Sequence, residues 1–167
     1  MLFRSQTKKT NYSPVNFNLK ALVYNNLLIF DRNIEEKALE INNDVNSKTE
    51  VFADKKMIGT VMRNLISNAV KFTPQEGALT IRDKVTDRHI QIEITDTGIG
   101  IEKENLDKLF QIEETITTRG TSGEYGHGLG LIICKELIDL HNGKIEIRST
   151  VKKGTTVTIT LPKIKSP

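Results

Sequence analysis

From His89 to Thr95 apolar and polar residues alternate without a break, Ile90, Ile92 and Ile94 pointing one way and Gln91, Glu93 and Thr95 the other. Val157, Ile159 and Leu161 alternate in the same way with Thr156, Thr158 and Thr160, and shorter versions run through Leu79, Ile81 and Val85 and through Ile145 and Ile147. A strand with a single apolar face does not suit a doubly wound parallel sheet, which buries both faces. The pattern predicts a mixed or antiparallel sheet covered on one face by about three α-helices, a two-layer α/β sandwich. Further short strands are expected at Ala38 to Asn42 and Val51 to Ala53.

The covering helices follow from their own period. Asn18 can N-cap a helix that buries Leu19, Leu22, Val23, Leu27 and Phe30. Asp54 can cap a second, with Met57, Ile58, Val61, Leu65 and Ala69 on its buried side and an end near Pro74. A third is expected to turn Leu129, Ile132, Ile133, Leu137 and Leu140 toward the core and to stop at Asn142-Gly143. The single cysteine, Cys134, falls in that helix among apolar residues, where a buried, inert thiol is the expectation; no intrachain disulfide is possible.

A chain of 167 residues with 37% hydrophobic content can enclose one core. Its net charge of +3 is spread along the sequence rather than clustered, which argues against a nucleic-acid partner. No apolar run approaches the roughly 18 residues of a membrane span, and the first residues do not read as a secretory signal, so a cytoplasmic setting is expected. Residues 1–12 are polar and aperiodic and are expected to be a linker or chain edge, with the domain over 13–163 and a short tail at 164–167.

Chemistry enters with the second helix. Asn64, Asn68 and Lys71 lie at i, i+4 and i+7 and share a stripe beside its apolar face. Amide oxygens can ligate a hard cation and an ammonium pairs with phosphate, so a magnesium-bound triphosphate satisfies both groups at once; a solvated helix face is the alternative. Asp96 to Ile101, DTGIGI, follows the alternating strand directly. It leaves a carboxylate at a strand end, able to accept from an exocyclic amine such as adenine's, with Gly98 and Gly100 clearing space beside it. Gly126 to Leu131, GHGLGL, opens the third helix, where free N–H groups and the helix dipole suit an anion. The segment before it is polar and irregular rather than a strand and tight turn, which excludes a dinucleotide-binding βαβ unit. Gly154-Thr155-Thr156 leads into the last strand.

In this order the motifs resemble the catalytic, ATP-binding domain of sensor histidine kinases, over roughly Asn16 to Pro162. Asn64 to Thr73 is similar to the family's N box, Leu109-Phe110 to its F box, and Asp96 to Gly100, Gly126 to Gly130 and Gly154 to Thr156 to its three glycine boxes. The resemblance implies ATP and Mg²⁺ as cofactors. Asn68 would ligate the metal, Asn64 and Lys71 would contact phosphates, Phe72 would pack near the nucleotide and Asp96 would bind adenine. Gly98, Gly100, Ile101, Phe110, Gly126, His127, Gly128, Leu129, Gly130 and Thr156 would complete the nucleotide site. The segment 111–127 corresponds to a mobile ATP lid, in which Arg119 is the basic residue expected to reach the γ-phosphate. Tyr125 and His127 stand where many relatives carry Lys and Thr, and Val157 at a commonly aromatic position.

Related ATPases of the superfamily carry Glu in place of Asn64. A carboxamide cannot usefully take a proton from attacking water, so Asn64 argues for transfer over hydrolysis, with Asn64, Lys71 and Arg119 as the catalytic set. His89, His127 and His141 all lie outside the family's phosphoacceptor pattern. The acceptor histidine is therefore expected on a dimerisation domain of the same longer protein, with a response regulator downstream and this module alone monomeric. A nucleotide-binding pseudokinase, a serine-directed kinase of the anti-sigma type and a hydrolytic ATPase are the alternative readings.

Overall fold

The computed structural model describes residues 11–111, 120–122 and 129–164. Five strands form the main sheet in the order β2-β4-β5-β7-β6, comprising Glu40–Asn43 (β2), Ala78–Val85 (β4), His89–Asp96 (β5), Lys144–Thr150 (β6) and Gly154–Pro162 (β7). Only β2 runs parallel to its neighbour, so the sheet is mixed. Ile90, Ile92 and Ile94 are buried with Ile159 and Leu161 beside them, while Glu93 is exposed on the other face. The alternation in sequence is thus the alternation in space.

Three helices of some length cover the apolar face: Leu19–Leu28 (α1), Lys55–Phe72 (α3) and Gly130–Leu140 (α5). Short helices at Asp31–Glu36 (α2) and Lys103–Leu106 (α4) link them to strands. Asn18 caps α1 by accepting from the Ala21 N–H at 3.0 Å. Helix α1 buries Leu19, Leu22, Val23 and Leu27 as the period predicts, whereas Phe30 is half-buried. A small second sheet was not legible: Val15–Asn18 (β1) pairs antiparallel with Glu50–Ala53 (β3).

The expected core stripe of α5 is corrected. Cys134 and Ile138 are buried, while Leu129, Ile133 and Leu140 are 49%, 41% and 51% exposed. The helix packs on α3 through its 134/138 edge, rotating the 129/133 edge away from the core. Burial pushes the Cys134 thiol up to about 12, against a smaller lowering by the Asn64 side chain, so it stays protonated.

Helix α3 is held at its start by a buried polar knot. Asp54 accepts through Oδ1 from the N–H groups of Lys56 and Met57 at 3.0 and 3.1 Å, and through Oδ2 from that of Ser13 at 2.9 Å. The Asp54 N–H in turn donates to Nε2 of buried His141 at 3.1 Å, whose Nδ1 lies 2.7 Å from the Leu137 carbonyl. This fixes the imidazole as the neutral Nδ1–H tautomer. His141 thereby joins α5 to the N-cap of α3. Burial raises the Asp54 pKa, but the donations from Ser13, Met57 and Lys56 outweigh it and leave it below the usual value. Its stabilisation is therefore present above the unfolded pKa and lost as pH falls through the lowered one. Asp54→Ala should cost about 1–2 kcal/mol of unfolding free energy at pH 7 in urea titration, and the difference from the parent should shrink as pH falls below the unfolded value of 3.8.

Candidate functional site

Between the C-terminal half of α3 and the sheet lies a cavity of about 940 Å³, toward the upper end of small-molecule sites. Asn64, Asn68, Lys71 and Phe72 enter it from α3, and Ile94 and Asp96 from the end of β5. Gly100 and Ile101 supply one wall, and Leu129 and Gly130 another at the start of α5. The sequence-predicted residues of three separate motifs thus meet around one space. An ideal Cβ placed on Gly130 would lie 3.4 Å from Asn64 Oδ1, which measures how closely the start of α5 approaches the amide stripe.

Asp96 is 9% exposed and accepts at Oδ1 from the N–H groups of Gly98 at 2.8 Å and Thr155 at 3.2 Å. Burial outweighs those two donations and raises its pKa to about 6. The glycines here answer to the protein itself. A Cβ on Gly98 would come within 2.6 Å of both Asp96 Oδ1 and the Phe72 carbonyl. Gly154, at φ +114°, lies where a Cβ would meet the Asp96 carbonyl at 1.9 Å. Both allow the backbone to close around the carboxylate.

On α3, the Lys71 ammonium stands 5.0 Å from the centre of the Phe72 ring. Asn68 and Asn64 lie one and two turns back along the same face. Oxygen donors from carboxamides beside an ammonium suit a hard cation carried by phosphates, so the side chains present fit Mg²⁺ with a nucleotide.

Not every expected residue lines the cavity. Gly98 packs against Phe72 and Asp96, and Phe110 lies outside the lining. Thr156 faces away: its hydroxyl is 3.1 Å from that of Thr95 on the opposite sheet surface, and Thr155 takes the cavity side with Val157. The strict alternation of β7 already carried that information, because Thr155 has the parity of Val157 and Ile159. Arg119, Tyr125, Gly126, His127 and Gly128 lie outside the described residues. Lining residues that the motifs did not single out include Glu102, Asn105 and Lys108 around α4, and Lys152 in the β6–β7 turn. Lys152 holds φ +62° and donates its N–H to the Ile99 carbonyl at 2.7 Å. Only the tertiary approach of the turn to the glycine loop brings it to the cavity.

A family model described as histidine kinase-, DNA gyrase B-, and HSP90-like ATPase matches residues 53–165. The chain belongs to that family. Among solved structures it is similar to the catalytic domain of histidine kinase ThkA, with 26% identity and a TM-score of 0.77 over 90% of this chain and 96% of that one. The same fold recurs in ThkA in complex with response regulator protein TrrA, at 24% identity and TM-score 0.76, over 92% of this chain and 42% of that one. Among curated relatives, the autoinducer 2 sensor kinase/phosphatase LuxQ of Vibrio harveyi is 41% identical over 134 residues, 74% of this chain and 15% of the relative. The non-motile and phage-resistance protein of Caulobacter vibrioides is 40% identical over 132 residues, 77% of this chain and 16% of the relative. Within the family the chain is an ATP-binding catalytic domain of the histidine kinase type. It spans about a sixth of the length of these two relatives.

The raised pKa of Asp96 carries a stability consequence for this kinase-type domain. Above pH 6 the buried charge opposes folding, and the penalty fades as pH falls toward the unfolded value of 3.8. Asp96→Asn keeps an acceptor for Gly98 and Thr155 and removes the charge. It should stabilise the domain by on the order of 2 kcal/mol at pH 7.5. Urea unfolding at pH 7.5 and pH 4 would check this, with the gain nearly gone at the lower pH.

Proposed function

We propose that this chain binds ATP with Mg²⁺ and donates the γ-phosphoryl group to a histidine on a dimerisation domain of the same longer protein, from which it passes to an aspartate of a response regulator. The observation that carries the reading is that Asp96, Asn64, Asn68 and Lys71 line one cavity. Asp96 would accept from the adenine amine, and its burial makes a mismatched acceptor costly. Phe72 and the apolar lining would exclude water around the base. Lys71 would pair with phosphate oxygens, and Asn68 would hold the metal through its amide oxygen. Mg²⁺ would supply charge neutralisation across the phosphates.

In the transfer the bond from the γ-phosphorus to the ADP oxygen breaks, a bond to imidazole nitrogen forms, and the imidazole proton is lost to solvent. An imidazole nitrogen is nucleophilic without a carboxylate base, which agrees with a carboxamide at Asn64. Arg119 is proposed as the γ-phosphate contact on the strength of the motif order. Among the described residues no helix is long and apolar enough to cross a membrane. A cytoplasmic setting and a monomeric isolated module belong to the same proposal.

With γ-labelled ATP and Mg²⁺, the chain alone should bind nucleotide and leave it intact, and label should appear on histidine when the acceptor domain is added. Steady phosphate release by the chain alone would sink the transfer reading. Asn68→Ala should abolish the part of ATP affinity that depends on Mg²⁺ in calorimetric titration. Asp96→Asn should lose the preference for ATP over GTP, a test in which parental selectivity would remove adenine recognition from Asp96.

A further inference from the structure

The last turn of an α-helix leaves carbonyls without intrahelical partners, and at the end of α3 they are met by several devices. The Ala69 carbonyl accepts from the Thr73 N–H at 3.1 Å and its hydroxyl at 2.6 Å. The Phe72 carbonyl accepts from the Ile99 N–H at 3.1 Å. Between them, the Val70 and Lys71 carbonyls accept from the ammonium of Lys37 at 2.9 and 3.0 Å. Lys37 is 6% exposed, follows α2 directly, and lies far from α3 in sequence. A cation at a helix C-terminus also meets the negative end of the dipole.

The same ammonium donates to the hydroxyl of Thr121 at 2.7 Å, in the connection between α4 and α5. Thr121 itself donates its N–H to the Lys71 carbonyl at 3.1 Å. Its hydroxyl lies 3.1 Å from the Lys71 and Thr73 carbonyls, one of which takes its proton. The Lys71 carbonyl is therefore held by the Lys37 ammonium and by the Thr121 N–H, with the Thr121 hydroxyl shared between it and the Thr73 carbonyl.

We propose that Lys37 and Thr121 are positioning residues for the phosphate end of the site: together they clamp the last turn of α3 and so set the Lys71 ammonium against the phosphates of a bound nucleotide. The proposal rests on the MgATP reading above. Neither residue touches the cavity, so each acts through Lys71. The clamp also ties Thr121 to the helix that carries Asn68. Its effect falls chiefly on phosphate, because the Asp96 carboxylate is held by bonds of its own from Gly98 and Thr155.

The test compares affinities of the full chain for adenosine and for ATP, both with Mg²⁺, in the parent and in Thr121→Val and Thr121→Ser. Valine keeps the shape of threonine and lacks the hydroxyl; serine keeps the hydroxyl. Thr121→Val should narrow the ATP-over-adenosine preference by about fivefold, the worth of one ordinary hydrogen bond, with adenosine affinity unchanged. Thr121→Ser should retain the parental preference. Lys37→Met should narrow it further where it folds, and the Thr121 pair decides the matter where it does not. A merely structural role would lower the melting temperature in Thr121→Val and leave the preference intact, which overturns the proposal. Equal losses in the serine and valine variants would overturn it too, because the hydroxyl would then not be responsible. A parent that binds adenosine and ATP equally would instead sink the phosphate reading and the positioning role with it.

Discussion

The C-terminal turn of α3 is the point on which the rest of the site depends. Its terminal carbonyls are distributed among Thr73, Lys37, Thr121 and Ile99, so one helix end is bonded to the segment after α2, to the α4–α5 connection and to the glycine loop after β5. The loop passes the constraint on: Ile99 accepts from Lys152 in the β6–β7 turn, and Gly154 in that turn lies against Asp96. The walls of the cavity are thus tied to one another through a chain of main-chain bonds rather than through side-chain packing. Apolar packing alone would tolerate sliding of these loops by a fraction of a residue; directional bonds to fixed carbonyls do not.

The other end of α3 is anchored with equal economy and different chemistry. There, free N–H groups meet Asp54, and the Asp54 main chain meets His141. Between the two anchors Ile58, Val61, Met62, Leu65 and Ile66 are almost wholly buried. The polar stripe from Asn64 to Lys71 can face a cavity because the opposite face supplies the burial and the ends supply the hydrogen bonds. Buried carboxylate Asp96 works against stability in the same region. Its raised pKa measures how far local structure has been given over to a polar group that two N–H donors do not fully compensate.

Period carried the fold in the sequence, and so the strands with one apolar face, the three longer helices and the stripe on α3 were all legible. What escaped lacked a period. Val15–Asn18 is too short to alternate convincingly and becomes a strand only by pairing with Glu50–Ala53. For α5, apolar residues occur nearly all round the helix, so the sequence could not choose between the 134/138 edge and the 129/133 edge; contact with α3 chose. Thr155 was available from parity and was passed over for its neighbour. Lys37 and Thr121 had no such signal. One is a charged residue at the end of a short helix, the other a polar residue in a loop, and their value lies in meeting the same carbonyl from places 84 residues apart.

The cavity also has a direction. Asp96, the most enclosed of its charged side chains, lies on the sheet side, and Lys71 stands at the last turn of α3, with neutral carboxamides rather than carboxylates on the turns before it. As far as Asp96 and Lys71 act, a ligand with a hydrogen-bond donor and an anionic group is favoured with its donor at Asp96 and its anion at Lys71. Reversed, it would set its anion against a buried carboxylate and its donor against an ammonium. Two carboxylates in place of Asn64 and Asn68 would blur that polarity by surrounding Lys71 with negative charge and competing for it. Neutral oxygens can still face a cation while leaving the ammonium available to phosphate. The choice of Asn over Asp or Glu on this stripe therefore bears on the polarity of the site as well as on the chemistry it can support, and the clamp behind Lys71 matters because it holds the cavity lysine that shares a helix with the two carboxamides.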